Sequence, residues 1–368
     1  MASPSEIAEK ERRLRAFMSE RGLAAVLLSR QANFAWFTCG GDSHVGIAAE
    51  AGVAHLLITA DAKWALCENI EAERIVEEEL DGQGFECRPY PWWRGGLDAA
   101  VRDLAGGGAV GADLPMPGCE DVAADLAPLR YALTPEEVAR YRIVGAAVGQ
   151  ALGDAAQEIE PGITEHAVAA RLAEPLLAQG IIPVVLLIAA DERVFRYRHP
   201  IPTDRRVEKH AMLVVCGRKW GLIVSATRMV HFGPLDAELR RKHDAVMAVD
   251  AALIAGTRPG AAAGEVFSAG LAAYRDAGFP DEWQLHHQGG ATGYAGRDYR
   301  ANAETREVVQ PNQAFAWNPS ITGTKCEDTI IAAPGGPEII SASPGFPTVQ
   351  VQAGGLTLAR SDVLLRGE

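Results

Sequence analysis

The residues best suited to chemistry fall in three blocks of the second half of this 368-residue chain. The first is VFRYRHPIPTDRRVEKHAMLVVCGRKWGLIVSATRMVHFG, residues 194–233, in which His199 precedes Pro200 and lies close to Arg193, Arg196 and Arg198. An imidazole exchanges protons near neutral pH, and guanidinium groups clamp carboxylates through paired hydrogen bonds. The same composition also describes a solvated basic loop with a surface histidine. Further on, AMLVVCG and GLIVSATRMV read as two strands of a hairpin carrying Cys216 and Arg228. A mid-strand cysteine is most simply core packing, whereas a buried arginine requires a partner. The second block, LHHQGGATGYAGRDY (285–299), sets His286 and His287 ahead of Gly289, Gly290 and Gly293, with Arg297 beyond. Glycines so spaced let backbone approach a ligand closely. The third, AFAWNPSITGTKCEDTIIAAPGG (314–336), carries Asn318 and the pair Glu327–Asp328, whose side chains point to opposite faces if the segment is a strand.

These blocks need a frame, and the second half supplies a repeated one. PGITEHAVAARLAEPLLAQG starts at Pro161 and PGAAAGEVFSAGLAAYRDAG starts at Pro259. Each reads as a turn, an amphipathic helix and a closing glycine (Gly180, Gly278), followed by strand-like segments. A duplicated helix-plus-sheet unit predicts a pseudo-two-fold domain with its ligand cleft between like halves. Ahead of it, Thr134, Pro135 and Glu137 form a capping box that opens a long helix. The earlier part alternates helix and strand. A helix is expected over residues 5–21, with strands at 24–29, 53–59 and within 107–113. NFAWF reads as strand-like, and AKWALCENIEAERIVEEEL as helical after its start. The expected domains are 1–130 and 131–368, with the boundary near 128–133. The longest apolar run, IIPVVLLIAA (181–190), suits a buried strand and is half the length needed to span a bilayer.

Composition narrows the function classes. A net charge of −13 without any lysine/arginine run excludes non-specific binding to nucleic acid or anionic membrane. Six cysteines without CxxC spacing read as reduced thiols, and the charged, periodic N-terminus reads as a helix rather than a signal peptide, so a cytoplasmic protein is expected.

Taken together, the domain order, the duplicated Pro-Gly unit, SATR, HHQGGATG, NPSI and CEDTIIA resemble the aminopeptidase P/prolidase/creatinase superfamily, over nearly the whole chain. The resemblance implies an α/β N-terminal creatinase-type domain followed by an α+β pita-bread domain with pseudo-two-fold symmetry. In the family's peptidases two metal ions are held by two aspartates, a histidine and two glutamates. The matching places here carry Cys216, Ala226, Gly290, Asn318 and Glu327, so one ligand of five remains. Hard divalent cations need several carboxylate oxygens, so neither a metal nor another cofactor is expected. Creatinase similarly lacks the metals and uses the histidine matching His199. The resemblance therefore implies metal-independent hydrolysis of a C–N bond (amide, amidine or guanidine) in a small polar substrate. His199 and Glu327 would be the acid/base pair. Arg196, Arg198, Arg228, Arg297, His286, His287, Cys216 and Asn318 would bind substrate. A homodimer is implied as well, with the loop 38–46 reaching the partner's site. Two alternatives stand beside this reading: a catalytically inactive binding protein, and an Xaa-Pro-type aminopeptidase with unusual ligands drawn from His286, His287, Cys216 and Glu327.

Overall fold

The structure is a computed structural model and describes residues 3–367. The chain divides into two compact units, Met1–Arg130 and Tyr131–Glu368.

The first unit opens with the helix Pro4–Arg21, where Ser3 Oγ accepts the Glu6 N–H and Gly22 ends the helix at φ 67°. Its six-stranded sheet has the order β4-β3-β2-β1-β5-β6. The strands are β1 (Ala25–Arg30), β2 (Ala51–Thr59), β3 (Lys63–Glu68), β4 (Glu86–Tyr90), β5 (Val110–Ala112) and β6 (Glu120–Asp121). Two local expectations fail here. NFAWF lies in the helix Gln31–Phe37 and not in a strand. All five of its residues are buried, and a fully buried helix shows the same unbroken apolar run as a strand. The stretch after residue 62 forms β3 first and only short helical turns at Ala72–Arg74 and Ile75–Glu79. Pairing of β3 with both β2 and β4 overrides its helical tendency.

In the second unit Thr134 and Glu137 form the capping box of the helix Pro135–Glu158. The duplicated unit is then laid out twice. The helices Pro135–Glu158 and Glu165–Leu177 precede β7 (Ile182–Ala190), β8 (His210–Lys219) and β9 (Leu222–Phe232). The helices Ala237–Gly256 and Ala263–Asp276 precede β10 (Gly289–Thr292), β11 (Tyr299–Arg300), β12 (Gln313–Trp317), β13 (Ser320–Ile321), β14 (Thr324–Lys325), β15 (Asp328–Ala333) and β16 (Gly336–Ile339). A hairpin of β17 (Thr348–Ala353) and β18 (Leu356–Ser361) leads to β19 (Val363–Arg366), which runs parallel to β9. The sheets have the orders β19-β9-β8-β7 and β11-β10-β12-β15-β16, and a bridge between Thr227 and Glu327 joins them. This is the pita-bread arrangement. The second half-core includes Leu253, Ile254, Phe267 and Ile330, with Phe315 and Trp317 stacked at 5.6 Å between centroids.

The run 181–190 departs from its expected burial. It is a strand, but Ile182–Leu186 are only half-buried, and burial begins at Leu187. β7 is an edge strand of its sheet, so one flank has no neighbouring strand to cover it. That uncovered flank becomes the wall of the site.

Candidate active site

A cavity of about 460 Å³ in the second unit gathers residues from both halves of the repeat. From the first half come His199, Cys216 and the apolar wall Val184, Val185, Leu186, Leu187, Ile201 and Val214. From the second come His287, Arg297, Asn318, Lys325 and Glu327. Chain topology explains the convergence, because the Thr227–Glu327 bridge fastens β9 to the chain entering β15 and carries the CED segment to the side of the β8–β9 hairpin.

Glu327 is 2% exposed and ends at the centre of a cationic cluster. Its Oε2 accepts hydrogen bonds from Lys325 Nζ and Thr227 Oγ1, both at 2.7 Å. Its Oε1 accepts from Arg297 Nη2 at 3.3 Å. Burial pushes the carboxyl pKa up, but the opposing pull of Lys325, Arg297 and Thr227 wins, and the net shift is downward. Asp328 faces the other way, as alternation along a strand requires. It pairs with Arg228 at 3.0 Å and with Arg360 at 2.7 Å.

Lys325 is a cavity-lining residue that the sequence reading missed. It lies two positions before Glu327 on the same face, and it is 4% exposed. The signal was the K-x-E spacing on an extended segment. Two buried imidazoles fasten the β13–β14 hairpin that carries it. His210 Nε2 lies 3.0 Å from the Gly323 carbonyl oxygen, and His243 Nδ1 lies 2.6 Å from Thr324 Oγ1.

Three histidines meet at the cleft. His286 Nε2 lies 3.2 Å from His199 Nε2, so one ring donates to the other. One ring nitrogen from each of His199, His286 and His287 lies within 4.8 Å of the others. Burial, followed by repulsion from Lys325 and neighbouring groups, lowers the pKa of His286 to about 2. Burial, followed by repulsion from Arg297 and Arg300, lowers that of His287 to about 4. His199 is exposed at the cleft edge. It too is shifted downward, by desolvation and then by Lys325, with Glu327 opposing. All three rings are therefore neutral at neutral pH.

Several residues expected at the site are employed elsewhere. Arg228 does not line the cavity. Its guanidinium donates to Asp328 Oδ1, the Ser341 carbonyl at 2.9 Å, Ser343 Oγ at 3.0 Å, the Thr227 carbonyl at 2.7 Å and the Glu327 carbonyl at 3.4 Å, which leaves nothing for a substrate. Arg198 is tied to Glu282 and Thr322, each at 3.0 Å, and borders a smaller adjoining pocket with His286. Arg196 is exposed, with its guanidinium 5.6 Å from the Tyr197 ring centroid. Cys216 does reach the cavity. Its Sγ lies 3.1 Å from Ser225 Oγ, and burial pushes its thiol pKa up, so it stays protonated.

Residues 139–336 match metallopeptidase family M24, and residues 11–117 match the creatinase/prolidase N-terminal domain. The chain belongs to the M24 family. That places it in the creatinase/aminopeptidase P superfamily. The probable dipeptidase PepE of Mycobacterium tuberculosis is 25% identical over 225 residues, 59% of this chain and 60% of that protein. The agropine synthesis cyclase of Rhizobium rhizogenes is 28% identical over 142 residues, 36% of this chain and 35% of that protein. The chain thus spans about 60% of the length of the dipeptidase relative. Among solved structures, dipeptidase PepE from Mycobacterium ulcerans superposes with a TM-score of 0.79 at 17% identity, covering 99% of both chains.

The metal pair of the family's peptidases does not fit these residues. Ala226 and Gly290 offer no donor, Cys216 holds its proton, and the one remaining carboxylate already carries Lys325 and Arg297. Room is lacking as well. A Cβ on Gly290, at φ +150°, would lie 2.2 Å from the Tyr299 carbonyl oxygen. The histidine trio supplies the number of protein ligands that a catalytic zinc site uses. Lys325, Arg297 and Arg300 set a positive field against a dication there.

Proposed function

We propose that this M24 member hydrolyses a C–N bond of an amide type without a divalent metal, with the Lys325 ammonium and Arg297 guanidinium supplying the positive charge. The observation that carries this reading is the ion-paired carboxylate: Glu327 anchors two cations where the family's peptidases use a carboxylate to hold metal. In the reaction His199, neutral at the start, takes a proton from water as its oxygen bonds to the carbonyl carbon. The oxyanion that forms is stabilised by the Lys325 ammonium. Collapse breaks the C–N bond, and protonated His199 returns its proton to the leaving nitrogen, giving a carboxylic acid and an amine. Glu327 positions the cations and does not carry the proton, because its lowered pKa makes it a weak base. The chain works as a cytoplasmic homodimer on a small-molecule substrate; six cysteines without CxxC spacing support a reducing compartment. Among the described residues, no helix is long and apolar enough to cross a membrane.

His199→Ala tests the reading. It should lower kcat about 10²–10⁴-fold on an amide substrate found by mass-spectrometric screening. Full activity in that variant would refute the assignment. The histidine trio favours a second reading, an Xaa-Pro-type peptidase using a bound transition metal. Metal analysis of protein purified without added metal separates the two: a stoichiometric ion lost on His286→Ala supports the second, and none supports the first.

A further inference from the structure

Three polar atoms of the cleft residues are buried and have no hydrogen-bond partner: Asn318 Oδ1, Arg297 Nε and His287 Nδ1. Native interiors satisfy nearly all such groups, so three around one cavity point to a ligand that satisfies them. They differ in kind, one being an acceptor, one a cationic donor and one an imidazole nitrogen. Arg297 already gives Nη1 to the Gly296 carbonyl and Nη2 to Glu327, which leaves Nε for a second anion. Lys325 and Arg297 contribute two positive charges to the cavity lining against the single carboxylate of Glu327, so the floor is net cationic.

The same cavity is also lined by the β7 flank. Val184, Val185, Leu186, Ile201 and their neighbours form an apolar wall, left uncovered because β7 is an edge strand. A cavity of about 460 Å³ is larger than a small polar molecule requires and suits a drug-sized ligand. Cationic groups and an apolar wall lining one cavity call for a ligand with both characters.

We infer that the cleft takes an amphiphilic secondary amide bearing a carboxylate, of the N-acyl amino acid class. The acyl chain lies along β7, the amide N–H donates to Asn318 Oδ1, and the carboxylate meets Arg297 Nε. This replaces the small polar substrate expected from the sequence and narrows the amide reading of the proposed function, on which it rests for turnover only.

The test is calorimetric titration of the full chain with acetyl-, butanoyl-, hexanoyl- and octanoyl-glycine. Affinity should rise about fourfold per methylene until the wall is covered. Hexanoyl-glycinamide, which lacks the charge, should bind at least about tenfold more weakly than hexanoyl-glycine, as should the N-methylated hexanoyl-sarcosine. Arg297→Gln should erase the difference between the acid and the glycinamide. An affinity independent of chain length, or equal binding of the acid and the glycinamide, would overturn the inference. Release of glycine from the same ligands is read separately. Graded binding without release refutes the hydrolase reading and leaves this one standing, whereas release without graded affinity refutes only this one.

Discussion

Replacing Glu327 by glutamine should destabilise the protein, and the geometry indicates by how much. The carboxylate accepts from Lys325 and Thr227 at 2.7 Å and from Arg297 at 3.3 Å, with Lys325 4% exposed and Glu327 2% exposed. Glutamine keeps the shape but removes the charge, and it turns one acceptor into an N–H₂ facing other donors. Two cations are then left without their counter-ion, and one of them, Lys325, is almost wholly buried. Breaking a buried ion pair from one side costs about 3–5 kcal/mol. For a domain of this size each kcal/mol moves Tm by about 2–4 °C, so a fall of roughly 6–20 °C is expected at pH 7. The double variant Glu327→Gln/Lys325→Met removes most of the imbalance and should recover part of the loss, with a coupling of about 0.5–3 kcal/mol. Thermal and urea denaturation followed by near-ultraviolet circular dichroism measure both quantities. An unchanged Tm in the single variant, or strict additivity in the pair, would refute the claim that Glu327 serves as the counter-ion of a cationic floor.

Other expectations follow from the same geometry. Arg228→Met should lower Tm by a comparable amount, because it strips one partner from buried Asp328, while leaving the Kd of cleft ligands unchanged; a weakened Kd without a stability loss would restore Arg228 to the site. Stability should fall as pH drops from 6.5, since unfolding lets His286 and His287 bind protons that their folded-state values of about 2 and about 4 forbid. Glu327 acts in the same direction at lower pH: its depressed folded pKa contributes stability above 4.5 that is lost as pH falls through the lowered value. Urea midpoints measured from pH 7 to pH 4 check the sign, and a rise toward pH 5 would contradict it. Gly290→His should not restore metal binding and should lower Tm, because its Cβ would meet the Tyr299 carbonyl oxygen at 2.2 Å; calorimetric titration with manganese detects the opposite outcome.

What the sequence alone determined was written in short-range terms. Thr134 and Glu137 cap a helix through bonds three residues away, so their chemistry announces the helix start. The two Pro-Gly units, the β8–β9 hairpin and the opposite facing of Glu327 and Asp328 are likewise local periodicities. Tertiary structure decided which charges meet. Arg228 and Asp328 are 100 positions apart, and no local pattern shows that this arginine is consumed by an ion pair before any substrate arrives. Lys325 lay in plain view two residues from Glu327, yet its importance depends on Thr227 arriving from β9 and Arg297 from the loop between β10 and β11 to share the same buried carboxylate. NFAWF became a helix and Ile182–Leu186 a half-buried wall for the same reason. An apolar run records a preference for leaving water, but only the packed neighbours fix its backbone form and which of its faces stays open.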